Sequence, residues 1–592
     1  MNTSQSRTNA LFLTLSGLLL GIGFAPLPLG FLAYFGFVPL LIVLERSVSQ
    51  EQGFLRILRQ LYWAFFVFHG VSNWWVSSWQ READPYLMIA GITLWIGHPF
   101  FFAVPMLAYV RLRKRLGRGF ALALLPLCWT AFEWAHSLGE FSYPWQALGY
   151  TQVYNLPMLQ SADIAGVWGL TFVIVSVNAC LAHILFAFSE GKIERNIEGK
   201  TEENAEESFV VRFTKTLYLR RESVVLLVWI FLITISYGAW RMRDFDHAEL
   251  LARGQNVRMG IVQPSINPWG KWRGSPNEQV LLHLHLQDSL RFTLQQQHPP
   301  ITRLDAVLWS ETAIPYRILL PQNYPYLAML HAWTDSTNTA ILTGLPSDIL
   351  YNSKKEAPIT ASVVPRLFDT LYMESFNSAT VLTPTTRITP DSVPSAFPSG
   401  IQIHRKMHLT PFAERVPYAE AFSFAVKALT WGVGISGWGL GKEQKTLDFM
   451  TSPSHTTASY AVSVGMIICL ESIYPNFVRE YPLKGANILA IITNDGWFNG
   501  TPGPEQHYMI GAMRSVENRR YLARCGNTGI SGFLTPTGTS LERTAINEQR
   551  AISAELPLLS QQTLYSRLGD WLPMLCAGIA VAMLLFSFKK TA

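Results

Sequence analysis

Charge is scarce in this chain. Only 15% of its 592 residues are Asp, Glu, Lys or Arg, against roughly 25% in soluble domains. Cysteine is scarce too: there are five, and no two form a CxxC pair. There is no HExxH helix and no Walker loop, and the histidines are scattered. No metal, nucleotide or other cofactor is implied. The net charge of +6 traces to a loop bias described below, so it gives no reason to expect a nucleic-acid partner.

What the chain has instead is apolar length. It is 49% hydrophobic and 13% aromatic, with a mean hydropathy of +0.18. The charge deficit is uneven. Residues 9–241 and 571–588 are largely apolar, and the block between them reads as a soluble domain. A bilayer takes about 20 residues of helix. Eight segments qualify as spans: 9–26, 30–44, 60–79, 86–110, 119–136, 165–188, 222–240 and 571–588. The first two are joined by "APLPLGF" and form a tight hairpin. No small-x-small cleavage site follows the first run, so it reads as an uncleaved helix, not a signal peptide. The expected division is a membrane domain of seven helices (1–241), an α/β domain (242–570), and a last helix with a short tail (571–592).

Lys and Arg orient the spans. "RLRKRLGR" (Arg111–Arg118), Arg46, Arg56, Arg59, the charged loop 189–221, Arg7, Lys589 and Lys590 all fall on one side if the spans alternate. That side should be the cytoplasm, with both termini on it and 242–570 on the far side. The stretch "EGKTEENAEESF" within the loop reads as disordered.

The block opens with "VRMGIVQPSI", a strand, followed by a helix over "NEQVLLHLHLQDSLRFTLQQQ". "LDAVLWSET", "NTAILTGLP", "NSATVLTP", "SYAVSVGMIICLE" and "ANILAIITND" read as further strands. "GPEQHYMIGAMRSVENRRYLARC" reads as one helix and "TGISGFLTPTG" as strand. Interleaved strands and helices imply an α/β domain. Residues 347–374 and 383–400 are rich in Pro, Ser and Thr and read as inserted loops.

Glu311, Lys406 and Cys469 stand at the ends of these strands. A thiol attacks as thiolate, favoured by nearby positive charge. A lysine supplies that charge and can stabilise an oxyanion. A carboxylate can take the thiol proton and later activate a second nucleophile. The three suffice for acyl transfer through a thioester. Each alone has a plainer reading: Cys469 as core filler, Glu311 as a helix cap or salt-bridge partner, Lys406 as a solvated loop lysine. A Cys469–Cys525 disulfide is open in an oxidising compartment but competes with the nucleophilic use.

The surroundings of these residues resemble the nitrilase, or carbon–nitrogen hydrolase, superfamily. "VLWSETAIPY", "HRKMHLTPFAERVPY" and "GMIICLESIYP" look like its glutamate, lysine and cysteine motifs, in the family's order. "ITNDGWFNGTPGPEQH" and "RSVENRRYLARCGNTGISGFLTPTG" extend the match. The variants resemble its membrane branch, the apolipoprotein N-acyltransferases, where the lysine motif continues into His408, Pro411, Phe412 and Glu414. The eight spans fit that branch, and "SYPWQALGYTQ" resembles its loop between spans five and six.

The resemblance implies a nitrilase-like αββα sandwich facing the periplasm of a bacterial inner membrane. It also implies transfer of an acyl chain from a membrane phospholipid to the α-amine of a diacylglyceryl-cysteine on an apolipoprotein. The partners are then phospholipid, diacylated apolipoproteins and the bilayer. By carry-over, Cys469 forms the thioester, Glu311 is the base and Lys406 stabilises the oxyanion. Glu414 positions Lys406, and Glu471 has a supporting role. Trp272, Trp145 and Asn377 match substrate-contacting positions, although tryptophans also serve as interfacial anchors. Asn494, Asp495 and Trp497 are expected to shape the pocket, and His507 to be structural. Glu133 lies in a span and is a functional candidate on that ground; pairing with His136 is the plainer account. A lid that limits water is expected. Leu470 replaces a usual tyrosine, Phe376 another, and His136 an arginine. The inserts are longer than usual. An amidase of the same triad, with water as second nucleophile, is the alternative. A transporter or lipid-binding protein would leave the three motifs without a purpose.

Overall fold

The computed structural model describes residues 3–80, 85–197, 216–218, 220–272, 275–320, 323–365, 370–384, 401–411, 413–415, 417–418, 437–451 and 459–588. The stretch Glu198–Phe209, most of the 383–400 insert and Phe412 lie outside them.

All eight expected apolar segments carry helix. The chain runs through α1 (Thr3–Ile22), α2 (Val38–Ser49), α3 (Phe54–Ser72), α4 (Pro85–Leu116), α5 (Arg118–Ala135), α6 (Leu156–Leu159), α7 (Ala162–Ile197) and α8 (Arg221–Asp244), and returns in Trp571–Phe588. Five of these segments are long and apolar enough to cross a bilayer: Gly30–Ser49, Leu87–Leu116, Ala162–Phe188, Arg221–Arg253 and Trp571–Phe588. The helices α1, α3 and α5 pack with them, and among the described residues they are not long and apolar enough to count as spans, so the expected eight is not reached. Near its start α7 is broken at Gly166, with φ +64. A Cβ there would meet the Tyr565 ring at 2.7 Å, so the break lets the α/β domain press against the helix.

Among the described residues, the block between Asp244 and Trp571 holds thirteen strands: β1 (Asn256–Gln263), β2 (Ala306–Trp309), β3 (Ala340–Tyr351), β4 (Ser362–Pro365), β5 (Thr370–Leu382), β6 (Ile403–Arg405), β7 (Thr446–Met450), β8 (Ala461–Ile468), β9 (Ile488–Thr493), β10 (Leu522–Gly526), β11 (Gly532–Leu534), β12 (Ser540–Arg543) and β13 (Arg550–Pro557). They form two sheets. One has the order β13-β1-β2-β3-β5-β4, with β6 also on β5; the other runs β12-β11-β10-β9-β8-β7. The central strands are buried on both faces and so read as continuous apolar runs. In β8, Val462, Val464, Met466 and Ile468 face the other sheet, while Ile467 faces outward. In β9, Ile488, Ala490 and Ile492 face inward, and Leu489 and Ile491 outward. Helices Pro276–Gln295 and Tyr324–Thr337 cover the first sheet. The helix Gly503–Asn518 covers the second, and its Tyr508, Met513 and Val516 share one apolar core with the bundle of apolar helices. This is the expected αββα sandwich, standing directly on the helices.

Three expectations need correction. Part of the insert at 347–374 is not loop: β3 and β5 pair antiparallel out to Tyr351↔Tyr372, and β4 adds to β5 through Val363↔Tyr372. Ile349, Tyr351, Val363, Val364 and Tyr372 favour strand and outweigh the Ser and Pro around them. The single helix expected over 503–525 ends at Asn518, Arg519 takes φ +47, and Leu522–Gly526 is β10, paired with β9 and β11. A ladder on both sides overrides a local sequence with no helix breaker. Glu133 does not pair with His136. It accepts from Trp129 Nε1 (2.7 Å), Leu148 N (3.0 Å) and Thr171 Oγ1 (2.7 Å), and His136 stacks on Phe132.

Candidate active site

Glu311 follows β2 in a sharp turn. Thr312 takes φ +46, a region costly for a residue with a Cβ. Gly344 of β3 lies beneath it, where a Cβ would come 2.4 Å from Thr312 N. The turn thus swings Glu311 out of the sheet. Lys406 follows β6, held by its N–H to Asn377 O (2.8 Å) and by Gly441 N donating to its carbonyl (2.8 Å). Cys469 follows β8 with φ +51 and opens the 3-10 turn Cys469–Ile473. All three strands end on one side of the sandwich, and the three side chains line one cavity of about 250 Å³.

Within it, Lys406 Nζ lies 2.9 and 2.8 Å from the two Glu414 oxygens and 3.2 Å from Glu311 Oε1. Asn377 Nδ2 donates to both carboxylates, at 2.7 Å to Glu311 and 3.1 Å to Glu414. Thr410 donates its N–H and hydroxyl to Glu414 Oε2 (2.8 and 3.0 Å). Burial disfavours the Lys406 charge, but Glu311 and then Glu414 outweigh it and hold the ammonium well above its ordinary value. Burial likewise opposes the Glu414 charge, and Lys406 brings that carboxyl down. Burial, and next Glu311, push the Cys469 thiol up, with Lys406 opposing. That environment favours the thiol form of Cys469, and a thiol needs a base before it can attack.

Glu471 is fully buried and joins two of the three motifs. It accepts from Met407 N (2.6 Å) and Ile468 N (2.8 Å), with His404 Nε2 at 3.3 Å. One carboxylate thus fixes the residue after Lys406 against the residue before Cys469. Burial opposes its charge, but His404 and the two N–H donors hold it below the usual range.

The cavity walls come from both parts of the chain. Trp75, Val76, Leu87, Tyr143 and Trp145 belong to the bundle; Trp269, Trp272, Trp438 and Trp497 belong to the α/β domain. Trp145 is buried and donates to Gln506 Oε1 (2.9 Å). Trp272 is 45% exposed. Leu470 also lines the cavity and joins the core shared with the bundle. The expectation for Asn494, Asp495 and Trp497 agrees with their place in the wall. His408 instead stacks on Tyr474 at 4.1 Å, away from the cavity. All five cysteines are free.

Two features go beyond the sequence reading, which expected His507 to be structural and did not single out Lys271. His507 lines the cavity and is bonded to Asp495 (2.7 Å), to Ser472 Oγ (2.8 Å) and to the Cys469 carbonyl (3.2 Å). Arg524 bonds the other Asp495 oxygen at 2.6 Å. Burial opposes the Asp495 charge, but His507 and Arg524 hold that carboxyl far below its usual range. The second feature is Lys271, which is buried behind Glu311. Its one sequence signal is its place beside Trp272.

Comparisons with known proteins agree with this layout. Residues 16–180 match the family described as apolipoprotein N-acyltransferase N-terminal domain, and residues 260–567 match the carbon-nitrogen hydrolase family. An apolipoprotein N-acyltransferase of Chlorobaculum tepidum is 33% identical over 574 residues, covering 96% of this chain and 94% of that protein. One of Geobacter metallireducens is 26% identical over 593 residues, covering 99% and 96%. With both halves matched, and a relative of this similarity along nearly the whole length, the chain belongs to the apolipoprotein N-acyltransferase family and is an acyltransferase.

Proposed function

We propose that this enzyme moves an acyl chain from a membrane phospholipid to the α-amine of a diacylglyceryl-cysteine at an apolipoprotein N-terminus, in two steps. Glu311 takes the Cys469 proton, and the sulfur attacks the phospholipid ester carbonyl. Lys406, kept charged by Glu414, stabilises the tetrahedral oxyanion. The ester C–O bond breaks, Glu311 returns the proton to the leaving alkoxide, and a thioester remains on Cys469. The lipoprotein amine then attacks the thioester carbonyl and Glu311 takes its proton; the C–S bond breaks, the amide is released, and Glu311 returns the proton to the Cys469 sulfur. Glu471 keeps Lys406 and Cys469 in register. Trp145, Trp272 and Asn377 complete the walls that meet substrate.

The observation that carries this reading is the shared cavity. Both substrates are lipids, and the triad lies where the bundle and the sandwich meet, walled by tryptophans of both. Residues 1–241 and 571–592 are read as the membrane part of a bacterial inner-membrane protein, with 242–570 on the periplasmic side and both termini cytoplasmic. The test is direct. Membranes containing the protein are incubated with phospholipid and a diacylated lipopeptide, and the products are weighed by mass spectrometry. N-acylated lipopeptide is expected; free fatty acid without it makes the enzyme a hydrolase. Protease added from the periplasmic side should cut within 347–400 and spare 189–221.

A further inference from the structure

Among the described residues two lysines are buried, Lys406 and Lys271, and both reach Glu311. Lys406 meets its carboxylate. Lys271 meets its backbone: Nζ donates to Glu311 O and to Thr312 Oγ1, each at 3.0 Å. These are the two residues of the turn that carries the left-handed Thr312. The Lys271 carbonyl is tied down in turn, accepting from Gln279 Nε2 at 2.7 Å. Both partners of the ammonium are neutral, an unusual choice for a buried charge.

We propose that Lys271 is a positioning residue for acyl transfer, its ammonium holding the Glu311 turn so that the carboxylate stays in the cavity with Cys469. Charge-assisted bonds from the ammonium are stronger than those of a neutral amine, and the charge adds positive potential behind the base. The groups facing it are few. Glu311 favours the charge, as does Cys525, while the neighbouring His283 is itself lowered to about 4, mainly by burial. Burial is the largest influence and pushes Lys271 down to about 8. The ammonium is thus present below that pH and lost above it, so the base should fail on the alkaline side.

The chemistry rests on the acyl-transfer reading, but the test separates the two. Full-length protein in detergent is given phospholipid, and acylation of Cys469 is followed by mass spectrometry from pH 6 to 9.5. In the wild type the rate should fall about tenfold per unit above pH 8. Lys271→Met should acylate at least tenfold more slowly at pH 7, lack that fall, and change the donor KM less than twofold. Thr312→Val removes one acceptor, which should move the alkaline fall to lower pH; it keeps the test open if Lys271→Met does not fold. Unchanged rate and unchanged alkaline fall in either folded variant overturn the proposal. If wild-type Cys469 takes no acyl group, the reading of the reaction falls. Alkylation of Cys469 by iodoacetamide then decides Lys271, because the thiol senses where Glu311 sits. A pH profile altered in Lys271→Met sustains the role, and an identical one ends it.

Discussion

Glu414 holds Lys406 with both of its oxygens, at 2.9 and 2.8 Å, while Glu311 reaches the same ammonium with one oxygen at 3.2 Å. The two carboxylates are therefore not equivalent. Glu414 is the charge partner, and Glu311 can accept a proton without leaving Lys406 unpaired. Glu414→Gln should draw Lys406 onto Glu311 and weaken the base. Cys469 acylation should fall by about 10- to 100-fold, within the range typical of general base catalysis. Glu414→Asp should recover part of the loss.

Glu311 and the thiol can be separated by their opposite responses. Burial and Glu311 raise the Cys469 thiol, so the thiolate is a minor species at neutral pH. Iodoacetamide alkylation should still climb at pH 9 without a plateau. Glu311→Gln removes the negative neighbour and leaves Lys406, so alkylation at pH 8 should become faster. Acyl transfer in the same variant should drop by about 10²- to 10⁴-fold.

Glu471→Ala should damage stability and rate together. It orphans the Met407 and Ile468 N–H groups, at about 1–3 kcal/mol each, and frees Lys406 from Cys469. Thermal unfolding should shift down by several degrees. Glu471→Gln keeps one acceptor oxygen and should lie between.

Asp495 gives a pH-dependent stability. Its folded value is depressed, so its contribution is complete above the unfolded value, about 3.9, and fades as pH falls toward the folded one. Asp495→Asn should cost about 3–5 kcal/mol at neutral pH, as expected for breaking a buried ion pair. Denaturant curves of the two proteins should converge in acid.

The tryptophans divide by exposure. Trp145→Ala removes a buried ring and its bond to Gln506, for about 3–5 kcal/mol. Trp272→Ala lies on the open rim; stability should hardly change while the phospholipid KM rises several-fold.

Lys406 was legible as a candidate from the motif around it, and Glu311 and Cys469 because each ends an apolar run inside such a motif. The strands β8 and β9 were legible for the same reason. Lys271 was not, because its importance comes from burial behind Glu311, which no local pattern encodes. The end of the helix at Asn518 was hidden as well. Arg519 turns only because Leu522–Gly526 is claimed by β9 and β11 from distant sequence. Glu133 reads from sequence as half of an i,i+3 pair with His136, but its actual donors come from Trp129, Leu148 and Thr171.

The two matched segments, 16–180 and 260–567, look like modules that could be cut apart. The shared core argues otherwise. Tyr508, Met513 and Val516 pack in one continuous cluster with Leu159, Val167 and Trp168 of the bundle, and Gln506 reaches the carbonyls of Ala25 and Ser72. Expressed alone, the α/β half would present that face bare to water and aggregate. A chimera carrying it on another bundle inherits the face without its cover, so the two halves are constrained to change together.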